Sequence, residues 1–359
     1  MSEAIVVPKQ KINLKRLIIP VGISLGVSLY LFYTNFHPSA LRLIHPSQKM
    51  FLGLFLGLVA IAVRDFAFMY KIRLSTGEKL SWRRTFQAII MWEFGAAITP
   101  KLGEVAFILW VLKKSGLSYG RSIAALVLNT FLDNVAFVVV FALLYWKLGQ
   151  QMLIINADCP DIAGHAIMQS LRGLASKAWI GYVFFCAMAL FFGVALFWLP
   201  RSAKKFFHRV STIKLFSRFK DSLMHLGDEI EITALEYKGR EFSFWFKMSI
   251  ATLINWAARY LLANALLFAF STGGLNMLEI FARQYVLWLF LVIPSTPGAS
   301  GLAELSFIAV NCEFMPVGLS AAIVLVWRIY SYYLYLLLGI LVLPKWLSDS
   351  KKSNAVAAL

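Results

Sequence analysis

The run AWIGYVFFCAMALFFGVALFWL at 178–199 carries no charge, and it limits what this chain can fold into more than any other feature. A helix that crosses the hydrocarbon core of a bilayer needs about 20 such residues. Other runs are similar, because 60% of the chain is hydrophobic and its mean hydropathy is +0.71. A soluble domain does not accommodate that much apolar surface. The sequence therefore predicts an all-α polytopic membrane protein.

Several apolar segments follow one another along the chain, and some are too short to span a bilayer. The segments are 17–34, 50–70, 86–98, 102–112, 122–146, 178–199, 246–270, 280–293, 300–311 and 317–343. The short ones, of about 10–14 residues, form two adjacent pairs, each joined by a Pro/Gly break: TPKLG at 99–103 and PSTPGASG at 294–301. We therefore predict about six full transmembrane helices and two re-entrant helical hairpins, at 86–112 and 280–311.

The distribution of positive charge predicts the orientation of these segments. With the N-terminus inside, the cytoplasmic segments carry 24 Lys and Arg residues and the external segments carry 5. Positive loops stay in the cytoplasm, so we expect both termini there and the chain in the cytoplasmic (inner) membrane. Interpreting both short pairs as full spans also keeps the termini inside. That alternative moves only 112–121, with its three basic residues, outside, so it is disfavoured but stays open.

The order of segments is the same in both halves of a single integral membrane domain, 1–359. The first half, 17–146, reads span, span, hairpin, span and begins inside. The second half, 178–343, repeats that order and begins outside, so the two hairpins open to opposite faces. This is an inverted-topology repeat, and transporters built in this way place their broken helices near the midplane of the bilayer.

Each hairpin carries a glutamate soon after its break, Glu104 and Glu304. A break leaves unpaired N–H and C=O groups, which persist only inside protein or beside a wet cavity. The half-helix N-termini also present partial positive charge, which suits a polar or anionic headgroup. One interpretation is that each glutamate only satisfies its own helix end. The other is a gate or a proton-coupled carboxylate, since acids at this depth are often functional.

Further polar residues lie within the apolar segments or at the breaks. They are Arg64 and Asp65 in 50–70, Lys101 at the first break, Asn129 and Asp133 on one face of 122–146, Arg259 in 246–270 and Arg328 in 317–343. For any one of them a structural ion pair is an equal alternative, but so many charges at depth favour an aqueous cavity. Glu93 is ambiguous. Arg283 and Lys247 lie near predicted segment ends, where we expect them to snorkel.

The loop 200–245 begins with interleaved basic and aromatic residues, and 201–220 carries seven Lys or Arg. We expect an interfacial helix on the anionic cytoplasmic leaflet rather than a nucleic-acid patch or a merely solvated loop. The net charge of +17 therefore indicates orientation, and we expect no nucleic-acid partner. The cysteines, Cys159, Cys186 and Cys312, are too few for a disulfide scaffold or a metal cluster, and we expect buried small side chains.

No arrangement of residues indicates catalysis. The histidines, His37, His45, His165, His208 and His225, fall in predicted loops without metal-ligand spacing, and no phosphate-binding glycine loop is present. A membrane-embedded transferase usually shows a His/Asp pair or a metal cluster. We therefore expect that the protein is not an enzyme and that it holds neither a cofactor nor a metal.

Two regions resemble the signatures of a known family. GAAITPKLGEVAFILWVLKKSGLSYGRSIAALVLNTFLDNVAFVVV at 95–140 is similar to the first signature of the lysylphosphatidylglycerol synthase transmembrane, or flippase-like, family. That signature has a Pro-x-x-Gly-acid turn, an apolar arm, a small-residue loop with Arg, and a helix with an acid. PSTPGASGLAELSFIAV, with LSAAIVLVWRIYSYYLYLLLG, is similar to the second: a Pro/Gly turn, a Glu and a final helix with Arg. The resemblance covers most of 15–345.

The resemblance implies that the protein moves a polar-headed lipid between leaflets, because family members flip aminoacylated phosphatidylglycerol and others are linked to polyprenyl or glycolipid pathways. By position it implies site roles for Pro100, Gly103, Glu104, Arg121, Asp133, Pro297, Gly298, Gly301, Glu304 and Arg328. The chain shows no soluble aminoacyl-transfer domain, so we do not expect the synthase activity, and the lysyl lipid in particular does not follow.

We therefore expect a flippase-like transporter whose substrate is a membrane lipid with an anionic or amino headgroup, including polyprenyl-linked lipids. Two alternatives stay open. One is a secondary transporter of a small solute or ion. The other is a non-transporting membrane scaffold for a lipid-modifying enzyme, which would then be a protein partner.

Overall fold

A computed structural model describes residues 22, 26, 33, 46–99, 101–153, 178–198, 200–212, 220–271, 273–291, 297–299 and 301–356. Within these ranges the chain forms helices and turns but no strand. The helices are α1 (Gln48–Ser75), α2 (Trp82–Ile98), α3 (Lys101–Lys114), α4 (Tyr119–Leu148), α5 (Ala178–Gly193), α6 (Pro200–Ser211), α7 (Lys220–Lys238), α8 (Phe242–Phe270), α9 (Met277–Leu291), α10 (Leu302–Asn311), α11 (Ser320–Arg328) and α12 (Leu334–Val356).

Within the described part of the chain, five helical stretches are long and apolar enough to cross a membrane. They are Gln48–Ser75, Tyr119–Leu153, Ala178–Trp198, Phe242–Phe270 and Ser320–Pro344. Each coincides with a predicted span, and the remaining predicted span, 17–34, lies almost wholly outside the described residues. The chain is an all-α polytopic membrane protein, as the sequence predicts. The last stretch contains a π-helical turn, Ile329–Tyr333, which joins α11 to α12.

Serine residues mark where three of the helices begin. The side chains of Ser47, Ser81 and Ser118 accept hydrogen bonds from backbone N–H groups in the first turns of α1, α2 and α4, at 3.2, 3.4 and 3.3 Å. The first N–H groups of a helix have no partner inside the helix, and a serine oxygen supplies one. These short polar residues therefore fix the helix boundaries between the long apolar runs.

Helices α2 and α3 form an antiparallel helical hairpin around the first Pro/Gly break. A Cβ atom added to Gly95 would lie 2.1 Å from the ring of Phe107, so the two arms touch where glycine leaves room. Met91 and Val111 share one hydrophobic cluster further from the break. The arms have 17 and 14 residues, about 26 and 21 Å of helix at 1.5 Å per residue. Both are shorter than the roughly 30 Å hydrocarbon core.

Helices α9 and α10 form a second antiparallel hairpin. Gln284 donates a hydrogen bond to Asn311 at 3.1 Å, and Arg283 donates one to the Val310 carbonyl at 3.0 Å. These pairs straddle Pro297, so the chain turns where the sequence places the second break. The arms have 15 and 10 residues, about 23 and 15 Å of helix.

The predicted halves pack against each other through close helix contacts. α1 and α8, which occupy the same place in the two predicted repeats, meet where a Cβ on Gly53 would lie 2.6 Å from the Ala269 side chain. Small residues allow this approach, as is usual between membrane helices. α12 packs against α2 in the same manner, since a Cβ on Gly339 would lie 2.3 Å from the Phe94 ring. A space remains between these contacts.

Candidate functional site

A cavity of about 570 Å³ lies among the helices, and we call it the chamber. Its acidic and basic lining residues come from six helices and are Arg64, Glu93, Glu104, Asp133, Arg259 and Arg328. Amide side chains also line it: Asn129, Asn134, Asn255 and Gln284. The volume lies in the range of about 300–1,000 Å³ that is usual for small-molecule sites. Charged and amide groups thus surround a cavity inside a bundle of apolar helices.

The two hairpin bends reach the same chamber. Thr99 and Glu104 line it from the first hairpin, and Gly298 and Ala299 line it from the second. Tyr332, in the π-helical turn, lies between the bends. Its hydroxyl donates a hydrogen bond to the backbone carbonyl of α2 at residue 97, at 3.0 Å, and its ring lies where a Cβ on Gly298 would come within 2.2 Å. Gly298 also has a φ of +60°, which favours glycine.

The first ionic cluster joins the two predicted repeats. Glu93 Oε1 lies 3.2 Å from Arg64 and 3.1 Å from Arg259, which occupy matching places on α1 and α8. Arg64 is only 1% exposed and also pairs with Asp65 at 2.7 Å. The Tyr335 hydroxyl donates to Asp65 at 2.8 Å, and the Tyr335 ring lies under the Arg64 guanidinium. Glu93, ambiguous in the sequence, is therefore the link between two predicted site residues.

The second cluster is centred on Asp133. Its Oδ1 atom pairs with the ammonium group of Lys71 and accepts a hydrogen bond from Trp256 Nε1 at 2.7 Å. Lys71, one residue beyond the predicted span 50–70, is fully buried in α1. Asn129, one turn before Asp133, donates to Ser75 Oγ at 3.0 Å. Asp133 and Asn129 share a helix face and both line the chamber, as the spacing predicts.

The third cluster ties the second bend to α11. Arg328 donates to Glu304 Oε1 at 2.8 Å and to the Gly298 carbonyl at 3.2 Å. The Gly301 N–H, at the start of α10, donates to Glu304 Oε2 at 2.7 Å. Glu304 therefore satisfies its own helix end and also forms an ion pair. It is buried behind the chamber wall, so it acts on the chamber by orienting Arg328.

Some predicted site residues lie elsewhere. Arg121 is not a lining residue of the chamber but pairs with Glu236 of α7 at 3.0 Å. Asp65 and Gly301 lie behind the wall, where they contact Arg64 and Glu304. For four predicted residues no side chain is described: Pro100, which lies outside the described residues, and Lys101, Gly103 and Pro297.

The sequence interpretation missed several lining residues. Asn255 and Arg259 on α8 are four apart, the spacing that identified Asn129 and Asp133 on α4. The same search for polar pairs one turn apart would have found Asn255. Gln284 carried no comparable signal, because its partner Asn311 lies on the other arm of the hairpin.

Several residues that line the chamber carry a buried polar atom with no hydrogen-bond partner within the described part of the protein. The acceptors are Asn129 Oδ1 and Asn255 Oδ1, and the donors are Arg259 Nε, Arg328 Nη2 and the Tyr260 hydroxyl. Buried polar groups are almost always hydrogen-bonded in proteins. These atoms have almost no accessible surface, so a ligand in the chamber would reach them only if their side chains turned towards it.

The chamber also reaches the outside of the helix bundle through apolar side chains. Val105 of α3 and Phe184 of α5 both line it and are about half exposed. The chamber therefore has a polar interior and an apolar side facing away from the bundle.

A polar cluster at the far end of the second hairpin corrects two expectations. Arg283 does not snorkel: it is buried and pairs with Glu279 at 2.6 Å and with Glu313. Cys312 is disulfide-bonded, so it is not a free buried side chain. Cys186 is free and partly buried. These contacts hold together the ends of α9 and α10 that lie opposite the bend.

Comparisons with known proteins agree with this architecture. The family model for the lysylphosphatidylglycerol synthase TM region matches residues 17–339. A UPF0104 membrane protein of Archaeoglobus fulgidus is 27% identical over 90 residues, a stretch that covers 25% of this chain and 27% of the archaeal protein. The match thus spans about a quarter of that relative's length. No solved structure matches the chain significantly.

Proposed function

The chain belongs to the lysylphosphatidylglycerol synthase TM region family, and on that premise we propose that it moves a polar-headed lipid between the two leaflets of its membrane. The observation that carries the proposal is the chamber, in which charged side chains from six helices meet beside both hairpin bends. The headgroup would pass through the chamber while the acyl chains stay in lipid.

The energetics explain why a lipid needs such a route. A charged group at the centre of a bilayer costs from about 3 to more than 10 kcal/mol, and each 1.36 kcal/mol lowers a rate tenfold. Ion pairs and amides that solvate the headgroup at the midplane reduce this barrier. The apolar side at Val105 and Phe184 favours a lipid over a water-soluble solute, because it lets chains remain outside the bundle.

The polar side chains that line the chamber suggest the chemistry of the headgroup. The guanidinium groups of Arg259 and Arg328 can donate to anionic oxygens, while the amides of Asn129 and Asn255 can accept from an amine or hydroxyl. The arginines are largely neutralised by Glu93 and Glu304, so a headgroup with one negative charge and additional donors fits better than a highly charged anion. Phospholipids with amino or hydroxyl headgroups and polyprenyl-linked lipids have this chemistry.

The hairpins fit a mechanism in which the chamber opens alternately to each face. We propose that α2–α3 enters the membrane from the cytoplasm and α9–α10 from outside, with both chain termini in the cytoplasm of an inner-membrane protein. The disulfide at Cys312 supports this orientation, because disulfides persist outside the reducing cytosol. One repeat would then rock against the other around the charged chamber.

A transport assay in vesicles tests the proposal. The purified protein is reconstituted with phospholipids that carry a fluorophore on one acyl chain, and dithionite is added outside. We expect label from the inner leaflet to become reducible faster than in protein-free vesicles. Ser331→Phe places a ring in the chamber and should abolish the faster reduction of the label. Ser249→Phe, on the exposed side of α8, should leave the faster reduction unchanged.

The same vesicles separate the alternatives. Uptake of a radiolabelled water-soluble glycerophosphodiester without lipid movement would favour a solute transporter. Neither lipid movement nor uptake by a folded protein would favour a scaffold for a lipid-modifying enzyme. Equal lipid movement by wild type and Ser331→Phe would contradict transport through the chamber.

A further inference from the structure

Helix α6 carries two faces of different character. Its exposed residues, Arg201, Ser202, Lys205, Phe206 and Arg209, recur at intervals of four and form one stripe along the helix. Three cations thus surround an exposed aromatic ring. We call these five residues the α6 stripe.

The opposite face of α6 is bound to α7. Lys204 lies 3.0 Å from Asp228 and 3.3 Å from Glu231, and His208 lies 3.5 Å from Asp228. The hydrogen bonds that Lys204 donates to Asp228 and Glu231 raise the pKa of Lys204, so its charge is retained at neutral pH. The acids of α7 therefore neutralise this face, while the stripe keeps its positive charge. Among the cations of the exposed face, Arg201 lies nearest to an acid of α7 in the described part of the chain, 3.9 Å from Glu231.

The position of α6 in the chain brings the stripe to the membrane surface. α5, a membrane-spanning helix, continues through the π-helical turn Val194–Trp198, and α6 begins at Pro200. Trp198 is 73% exposed. Tryptophan at the end of a spanning helix is typical of the membrane interface. The stripe therefore lies at the level of the headgroups in the leaflet where α5 ends.

We propose that the α6 stripe binds anionic lipid headgroups in that leaflet and that α7 transmits this binding to the helices of the chamber. Arginine and lysine would pair with headgroup phosphates while Phe206 enters the acyl boundary, the arrangement of an interfacial amphipathic helix. A helix that only needed solubility would not combine three exposed cations with an exposed phenylalanine.

Helix α7 connects α6 to α1 and α4. The Gly120 N–H, at the start of α4, donates to Glu229 at 3.0 Å, and Arg121 pairs with Glu236 at 3.0 Å. The Tyr237 hydroxyl bonds to the backbone carbonyl of Ser75, at the end of α1. α1 and α4 also carry the first and second ionic clusters of the chamber. Lipid that fixes α6 would therefore restrain the ends of both chamber helices through α7.

Hydrogen exchange on the full-length protein in nanodiscs tests the inference without requiring transport. Exchange of the amides of α6 and α7 is measured in phosphatidylcholine alone and in phosphatidylcholine with phosphatidylglycerol. Each cation near an anionic surface strengthens attachment about fivefold. We therefore expect at least tenfold slower exchange in α6 with the anionic lipid, and a smaller slowing at the start of α4. Equal exchange in both membranes would overturn the inference.

Variants show whether the stripe is responsible. Arg201→Gln, Lys205→Gln and Arg209→Gln together should remove the lipid-dependent slowing, and retention of that slowing would reject the stripe as the binding surface. The matched control removes three exposed cations from the α1–α2 turn and the first turn of α2, on the same side of the protein: Lys79→Gln, Arg83→Gln and Arg84→Gln. The control variant should keep the lipid-dependent slowing of exchange in α6. Loss of the slowing in the control variant would show a general effect of charge and would reject a specific role of the stripe.

Discussion

The ion pair between Glu304 and Arg328 gives the sharpest quantitative prediction. Both side chains are almost fully buried, at 3% and 6% exposed, and their closest atoms are 2.8 Å apart. Removing one partner of a buried pair leaves an uncompensated charge, which costs about 3–5 kcal/mol. We therefore expect Glu304→Gln and Arg328→Gln each to lower the free energy of unfolding by about 3 kcal/mol. Both changes together should cost well under the sum, with a coupling of about 2–3 kcal/mol.

Thermal unfolding in detergent, followed by circular dichroism, measures this cycle. A chain of this size shifts its midpoint by about 2 °C or less per kcal/mol, so each single variant should unfold about 5 °C earlier. The matched control is the pair of Arg240 and Glu236, whose side chains are 39% and 31% exposed, so Arg240→Gln should cost only about 0.5 kcal/mol. Small, additive effects of the two buried changes would refute the tight pair and show that water screens it.

Three further predictions follow from the contacts. Glu93→Gln removes the carboxylate that two arginines share, so lipid movement in vesicles should fall at least about tenfold, a change of 1.36 kcal/mol; an unchanged rate would deny the cluster a role in transport. Burial alone would raise the pKa of Glu236, but the charge of Arg121 and hydrogen bonds from both neighbouring arginines lower it below the ordinary value of 4.5. The stability that ionised Glu236 contributes is therefore present above pH 4.5 and is lost as the pH falls through the lower pKa of Glu236 in the folded protein. Exchange of the α7 amides should accelerate only at that low pH. Acceleration already near neutral pH would contradict the pairing of Glu236 with the two arginines. Mass spectrometry of unreduced peptides should find Cys312 in a disulfide and Cys186 alkylated, and alkylation of both would exclude the bond.

The sequence predicts the long helices and the hairpins because both depend on local chemistry. Apolar runs that are long enough to cross a bilayer identify five spans, and Pro/Gly breaks mark where short helices turn back on each other. The pairing of Gly95 with Phe107 and of Gln284 with Asn311 follows directly from turns at the predicted breaks.

The sequence did not reveal which charged residues contact each other in the folded protein. It gives the depth of a charged residue in the bilayer but not its rotation about the helix axis. Arg64 and Arg259 therefore looked like two separate site residues until Glu93 was found between them. Arg121 looked similar by depth and motif, yet it turns towards α7 instead of the chamber. Lys71 lay one residue beyond a predicted span and is in fact buried in α1.

The structure places the two hairpin glutamates, Glu104 and Glu304, in different positions relative to the chamber. Glu104 lines the chamber directly, whereas Glu304 lies behind the wall with Arg328 and the N-terminus of α10. A loss of transport in Glu304→Gln would therefore have a structural cause as well. Glu104→Gln is the cleaner test of a carboxylate role, because a change in transport there need not be accompanied by lower stability.

Photo-crosslinking of a lipid headgroup tests most directly whether lipid enters the chamber. A phosphatidylethanolamine analogue with a diazirine on its headgroup is incorporated with the wild-type protein in nanodiscs, irradiated, and the modified peptides are sequenced. We expect modification of α4 around Asn129–Asp133 and of α8 around Asn255–Arg259, reduced by excess unlabelled lipid and absent in Ser331→Phe. Modification confined to the exposed outer faces, such as Phe51 and Phe55 of α1, would contradict a lipid-transporting chamber.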